Sequence, residues 1–304
     1  MIKIDNYVVE QGRFPDGTLK IFPDVRELSQ IKEMNLQTKR SSFFPTDVTV
    51  TWAYDNDSEM TALLFITRYL QDHGFQNINL YMPYIPNARQ DRIKSDGDVF
   101  TLKYFAEFIN SFHFNKVIVL DPHSYVSEAL IDRIEVIRPN SLIEKTIMKI
   151  NKTREERNAT NSLITLYPDE GAMKRYSDIA SLPYAFGVKK RDWKTGKIGN
   201  LELLDQFDSI KGNDVLAIDD ICCKGTTMYL SAKKLKELGA EHIYLYVTHC
   251  EKTVFSGELL KSGLIDKIYT TDSIFRDSAK LEAEDLGFED KIETFKVCSP
   301  IWCN

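Results

Sequence analysis

The stretch VLAIDDICCKGTT, residues 215–227, decides the fold. Its first four residues are apolar and read as a buried strand, with two adjacent acids, Asp219 and Asp220, at the carboxyl end. Cys223, Lys224 and Gly225 form a short turn that opens on the hydroxyls of Thr226 and Thr227. From Thr226 to Leu238 the residues Met228, Ala232, Leu235 and Leu238 recur at helical spacing, so a helix with one apolar face is expected there. Gly239 ends it, and residues 242–247 read as the next strand. Strand, turn, helix and strand make one unit of a parallel α/β sheet, and such sheets bind ligands in loops at the carboxyl ends of their strands. Unpaired N–H groups at a helix start, a glycine and threonine hydroxyls suit a phosphate.

Two carboxylates beside a phosphate cradle repel the anion unless something lies between them. A ribose can, since its 2- and 3-hydroxyls donate to the acids while its 5-phosphate rests on the turn; a Mg²⁺ can also. An acid pair alone reads as a solvated strand end. With this strand, turn and helix around it, ligand binding is the better reading.

Upstream, FPDGT (14–18) is a turn between extended segments, residues 46–53 alternate as a strand, and 57–70 form an amphipathic helix. The strand at 77–82 runs into PYIPNARQDR (83–92), where Arg89, Gln90, Asp91 and Arg92 make either a planar phosphate clamp or a solvated basic turn. Residues 93–100 read as a mobile loop and 101–112 as a helix. The buried strand at 116–120 ends in Asp121-Pro122-His123-Ser124, a sound place for His123 to hold a metal or phosphate.

A polar helix at 141–160, ending in a charged run, is the candidate boundary between an N-terminal α/β domain (1–145) and a C-terminal one (146–304). The second half opens with a strand at 162–166 and YPDEG (167–171), where Asp169 is a metal ligand or a helix N-cap. Lys174 and Arg175 lie on the helix that follows. Residues 187–197 carry five cations in eleven positions, which reads as a solvated hairpin or as a lid that neutralises a transferring phosphoryl group. The segment 265–274 is a strand and turn.

The chain has 304 residues, room for two ordinary domains, with 43% hydrophobic and 28% charged residues, as a packed globular protein needs. A net charge of −6 argues against nucleic acid, and no apolar run approaches a membrane span. Five cysteines (222, 223, 250, 298 and 303) without a secretory signal point to reduced thiols in a cytoplasm.

Taken in order, PYIPNARQDR, VIVLDPHS (117–124), YPDEG, KKR (189–191), VLAIDDI (215–221), THC…SG (248–257) and TTDSI (270–274) resemble the ribose-phosphate diphosphokinases, the phosphoribosyl diphosphate synthases. FPDGT resembles their adenine loop, and the likeness covers nearly the whole chain. The resemblance implies two similar type I phosphoribosyltransferase-like domains, each a mainly parallel sheet flanked by helices, with the active site between them. It also implies a homo-oligomer, dimer or hexamer. The implied reaction moves the β,γ-diphosphoryl group of ATP to the anomeric hydroxyl of ribose 5-phosphate, with Mg²⁺. By resemblance Phe14 and Asp16 hold adenine, and Arg89, Gln90, Asp91 and Arg92 hold ATP. His123 and Asp169 position Mg²⁺, and Lys190 is the principal catalytic cation with Arg191 beside it. Asp219 and Asp220 take the ribose hydroxyls, and residues 223–227 take the 5-phosphate.

This chain departs from the family at three places. The family's phosphate loop reads like D-T-A-G-T; here Cys223 replaces its Asp and Lys224 adds a cation. Asp192 replaces a loop arginine and Thr18 replaces the adenine-loop Glu. A rebuilt grip beside an intact acid pair suits an acceptor with a further 5′ group, such as ADP-ribose. A catalytically inactive associated subunit is the alternative. A phosphoribosyltransferase would share the acid-pair loop but has no use for the arginine clamp and the DPHS motif in a preceding domain.

Overall fold

Short alternating strands open the chain. β1 (Ile2–Ile4) buries Ile2 and Ile4 and pairs antiparallel with β2 (Tyr7–Val8). A separate ribbon follows, β3 (Glu10–Arg13) antiparallel to β4 (Leu19–Phe22). β5 (Asp47–Trp52), β6 (Asn77–Met82), β7 (Lys116–Leu120) and β8 (Ile134–Ile137) run parallel, giving a six-stranded sheet in the order β2-β1-β5-β6-β7-β8. α1 (Ser58–Asp72) and α2 (Thr101–Asn110) lie between these strands in the chain and bury one stripe each, Leu63, Ile66 and Leu70 on the first, Leu102, Phe105 and Ile109 on the second. The short α3 (Tyr125–Leu130) follows β7. The computed structural model describes residues 1–5, 7–24, 28–30, 33, 47–180, 182–191, 198–204 and 209–298, with 47, 188–191, 198–202 and 204 as backbone alone.

The second sheet begins after α4 (Asn140–Glu156). Its strands β9 (Leu163–Tyr167), β10 (Tyr184–Arg191), β11 (Ile198–Leu204), β12 (Asp214–Cys222), β13 (Ile243–Cys250), β14 (Lys267–Thr271) and β15 (Ile292–Phe295) lie in the order β11-β10-β9-β12-β13-β14-β15. All neighbours are parallel except the β10/β11 hairpin. β9 and β13 are buried at every position, the near-continuous burial of strands covered on both faces. The covering helices include α5 (Glu170–Tyr176), α6 (Thr226–Glu237), the single turn α7 (Glu258–Lys261) and α8 (Asp277–Asp285).

α6 buries Met228, Ser231, Ala232 and Leu235, one stripe of a 3.6-residue period. Its end is a Schellman turn: Gly239 takes φ +88, its N–H bonds the Lys236 carbonyl, and the Ala240 N–H bonds that of Leu235.

Chain order reverses across β9 and β12. From β9 the chain moves outward to β10 and β11, then returns to the far side of β9 as β12 and proceeds to β15. That reversal is a switch point, where the loops beyond the carboxyl ends of two adjacent strands part company and leave a crevice.

Two expectations change. β12 does not stop before the acids. It stays in register with β13 through Cys222–Cys250, so Asp219 and Asp220 lie inside a strand, although the pairing with β9 ends at Ala217. The division of the chain falls not at 145/146, inside α4, but at Arg138/Pro139; one unit is Met1–Arg138 with Val297–Asn304 and the other Pro139–Lys296. The charged end of α4 is an anchor: Arg154 Nε donates to the fully buried Asp214 carboxylate at 2.9 Å, and Arg157 binds the same oxygen. Val297 belongs to the first unit, where its carbonyl accepts from the Tyr81 hydroxyl at 2.8 Å.

Candidate active site

The second unit gathers its acids and cations at the carboxyl edge of the sheet. Asp220 is 3% exposed and Asp219 half-buried. Asp219 Oδ1 accepts from the Asp220 N–H at 3.0 Å, which fixes the first carboxylate against the strand. The second is fixed by a residue whose role the motifs leave open: Arg175 Nη2 donates to Asp220 Oδ1 at 2.7 Å and lies 4.0 Å from Asp219 Oδ1. Arg175 comes from α5, and its guanidinium carbon sits 5.1 Å from the centroid of the buried Tyr176 ring.

The turn after β12 is locked from one side. Gly225 takes φ +71, a left-handed conformation, immediately before α6, and a Cβ there would lie 2.7 Å from Leu259 Cδ2 on α7. At Gly257 a Cβ would lie 1.9 Å from the Lys224 carbonyl oxygen. Cys223 is half-buried and its thiol donates to Glu251 Oε1 at 3.0 Å, while the Glu251 N–H holds the Cys222 carbonyl at 2.8 Å. Gly257 of the THC…SG motif is therefore packed directly against the turn. Lys224 and Thr226 are exposed and Thr227 half-buried, so the exposed face of the turn carries one cation and a hydroxyl at the start of a helix, a set that can bind an anion.

Beneath the turn, Cys222 and Cys250 pair across β12 and β13, both buried. A hydrogen bond with Cys250, then burial, pushes the Cys222 thiol well above its usual range, so it packs as an apolar group and not as a nucleophile.

Asp169 stands at the carboxyl end of β9 and caps α5, its Oδ1 accepting from the Ala172 N–H at 3.0 Å. The cap reading of this residue is thus observed. Lys190 and Arg191 end β10, which runs on past its last pairing with β9 at Phe186–Tyr167, with a register shift between the two cations. The expected basic lid begins as this hairpin; Asp192 and the rest of 192–197 lie outside the described residues.

In the first unit the expected nucleotide residues divide between the ribbon and the sheet edge. Phe14–Thr18 closes the β3/β4 hairpin, with Gly17 at φ +83 and the Phe14 N–H bonded to the Thr18 carbonyl. Asp16 accepts from the Thr18 hydroxyl at 2.7 Å and its N–H at 3.0 Å, and these bonds hold its carboxyl below the ordinary range. Thr18 thus braces the acid of the turn. Phe14 is 45% exposed and Lys20 lies over its ring at 5.3 Å, leaving an aromatic surface open for stacking.

The 83–92 loop is pinned by buried Ile85 and Ala88 and turns at Asn87, φ +63. Arg89, Gln90 and Arg92 are exposed and Asp91 half-buried. Gln90 Oε1 accepts from Thr101 at 2.9 Å and Arg92 pairs with Asp91 at 3.2 Å. On the neighbouring strand β7 the chain turns at Asp121, φ +44 and 2% exposed, and presents a half-buried His123. Asn87 in the loop after β6 and Asp121 just after β7 are thus both non-glycine residues held left-handed. The 93–100 segment has no regular structure but is tied by Asp98, which accepts from the N–H groups of Lys94 and Ser95. Among the described residues no group of three or more His, Cys, Asp or Glu side chains could hold a metal ion by itself, and no helix is long and apolar enough to cross a membrane.

Arg175 and Glu251 are the site residues that sequence reasoning did not assign. Arg175 was within reach, since it is a cation on the helix after the strand beside β12, but the strand order had to be known first.

No family model matches the chain. Among solved structures, a phosphoribosylpyrophosphate synthetase from Mycobacterium smegmatis superposes with a TM-score of 0.70 over 96% of this chain and 86% of that one, at 16% identity. The chain therefore shares the fold of that synthetase, with an α/β sheet domain built twice. The ribose-phosphate pyrophosphokinase of Saccharolobus solfataricus is 26% identical over 282 residues, 90% of this chain and 85% of its own. That of Thermococcus kodakarensis is 26% identical over 273 residues, covering 88% and 85%. Over nearly its whole length the chain is thus similar to ribose-phosphate pyrophosphokinases.

Proposed function

We propose that the protein transfers the β,γ-diphosphoryl group of ATP to the anomeric hydroxyl of a ribose 5-phosphoryl acceptor, releasing AMP. The observation that carries this reading is the acid pair Asp219–Asp220 at the switch point, one residue pair upstream of an anion-binding turn at the start of α6. A ribose 5-phosphoryl group needs those two features at that spacing, diol acceptors and a phosphate cradle. The relatives' names support the reaction class.

Phe14 and Asp16 would take the adenine, and Arg89, Gln90, Asp91 and Arg92 the ATP phosphates. Lys190 and Arg191 would neutralise the diphosphoryl group in flight, since phosphoryl transfer relies on positioning and cations more than on a covalent nucleophile. His123 and Asp169 would position Mg²⁺. Mg²⁺ keeps waters and substrate phosphates as most of its ligands, so one or two protein side chains are enough to place it. When bound, the ion lowers the charge of the phosphates.

The acceptor is either ribose 5-phosphate, giving phosphoribosyl diphosphate, or a 5′-extended compound such as ADP-ribose, giving its pyrophosphate. The turn favours the second. Cys223 is engaged with Glu251, an acid poorly placed beside a terminal phosphate dianion, and Lys224 supplies one cation, enough for the single charge that each phosphate of a diphosphate linkage carries. The test is AMP release from ATP and Mg²⁺ with each acceptor, products weighed by mass spectrometry. AMP mainly with ADP-ribose, and a product heavier by a diphosphate, supports the extended acceptor. AMP with ribose 5-phosphate alone makes the Lys224 turn a variant of the usual grip. Silence with both leaves an inactive associated subunit.

A further inference from the structure

An acceptor that carries phosphate must approach two adjacent acids. Asp220 is almost wholly buried and Asp219 half so, and neither is screened by bulk water as an exposed carboxylate is. Both need a fixed orientation, because a vicinal diol donates two hydrogen bonds in one geometry. Asp219 obtains its own from the Asp220 N–H. Asp220 obtains its own from a side chain 45 residues earlier in the chain, Arg175, whose Nη2 stands 2.7 Å from Asp220 Oδ1 and 4.0 Å from Asp219 Oδ1.

Arg175 is itself well held. Its side chain is only 12% exposed, its guanidinium faces the buried Tyr176 ring, and the Tyr167 hydroxyl bonds the Tyr176 carbonyl at 3.2 Å, tying the end of α5 to β9. The guanidinium is thus planar, permanently charged and fixed against the acid pair. It does two things that the acids cannot do for themselves. It cuts their joint charge from two to one, easing the approach of an anionic acceptor, and it anchors Asp220 by one oxygen.

We propose that Arg175 is a positioning residue for the acceptor, acting through Asp220 and not on the nucleotide. The inference rests on the reading of Asp219 and Asp220 as the ribose site. It predicts a split in kinetic effect that a structural ion pair would not give.

The experiment uses the full chain with Arg175→Ala, Arg175→Lys, Asp220→Asn and the double variant Arg175→Ala/Asp220→Asn. Calorimetric titration with ribose 5-phosphate and with ADP-ribose gives acceptor affinity, and steady-state AMP release gives KM for ATP and for acceptor. Arg175→Ala is expected to weaken whichever acceptor the wild type binds by about tenfold or more, with the KM for ATP within about twofold, as expected when one partner of a buried charge pair is removed. Arg175→Lys should recover part of the loss. In the Asp220→Asn background, removing Arg175 should cost less than about threefold, since its partner is already gone. Unchanged acceptor affinity in folded Arg175→Ala overturns the proposal, as do parallel rises of both KM values or strictly additive effects in the double variant. If Arg175→Ala does not fold, Arg175→Lys decides on the same criteria. If the wild type binds acceptor but releases no AMP, and Arg175→Lys binds it more weakly, positioning stands and the transfer reading falls. If the wild type releases AMP and every Arg175 variant binds acceptor as it does, positioning falls and the transfer reading stands.

Discussion

Replacing Gly257 with alanine would set a methyl group 1.9 Å from the Lys224 carbonyl oxygen, where Cβ atoms essentially never come closer than 3.0 Å. Something must move by at least 1.1 Å, and the neighbour is backbone, not the end of a flexible side chain. The Lys224 carbonyl belongs to the turn before α6, so the displacement falls on the proposed phosphate cradle. A misplacement of about 1 Å in a positioning element can lower a rate roughly 10²-fold, and overpacking costs about 1–3 kcal/mol of stability. Gly257→Ala should therefore fold, melt lower, and lose about two orders of magnitude in kcat/KM for the acceptor, with the KM for ATP little changed. Gly263→Ala is the control. Gly263 also has a positive φ, +67, but no atom lies within 4 Å of its would-be Cβ, so backbone strain alone should lower stability without touching acceptor use. The assay is initial-rate AMP formation against acceptor concentration, beside thermal melts of both variants. A Gly257→Ala enzyme with wild-type acceptor KM and kcat would refute the assignment of this turn to the acceptor.

Lys190→Ala should lower turnover by about 10²–10³-fold with ATP binding mostly kept, since its charge is needed chiefly in the transition state; equilibrium binding of a nonhydrolysable ATP analogue checks the second half. Asp214→Ala removes a carboxylate with no exposure that holds Arg154, Arg157 and Asn161, and should cost about 3–5 kcal/mol by denaturant unfolding. Glu293 is pushed up by burial, but hydrogen bonds from Lys149 and Lys267 outweigh this and leave its carboxyl lowered from 4.5. Its stabilisation is therefore present above that value and lost as pH falls through the lower folded one, so wild-type stability should drop more steeply on acidification than that of Glu293→Gln. Equal slopes in pH-dependent melts would count against it.

What could be read from the chain alone was local. The apolar strand, the turn and the apolar face ending at Gly239 all follow from spacing, and the structure places them as β12, the turn, α6 and its Schellman end. What could not be read was decided by partners far away. β12 runs on through Asp219 and Asp220, residues that strands usually avoid, because β13 offers a ladder as far as Cys250. The charged end of α4 resembles a linker until Asp214, 57 residues beyond Arg157, supplies a buried partner. Residues 187–197 read locally as a hairpin or a lid, and only the pairing of β10 with β9 shows that this hairpin extends the central sheet. Arg175 meets Asp220 only because β12 returns beside β9 after the chain has gone out to β11.

The left-handed Gly225 limits how acceptor choice could be re-engineered. The family's loop carries alanine at this position, so exchanging residues 223–227 for D-T-A-G-T would place a methyl group at φ +71 and 2.7 Å from Leu259. The five residues are therefore not a transplantable module. A graft that is to keep its shape has to bring the 257–259 segment with it, and a library built to switch acceptors should vary the turn and α7 together.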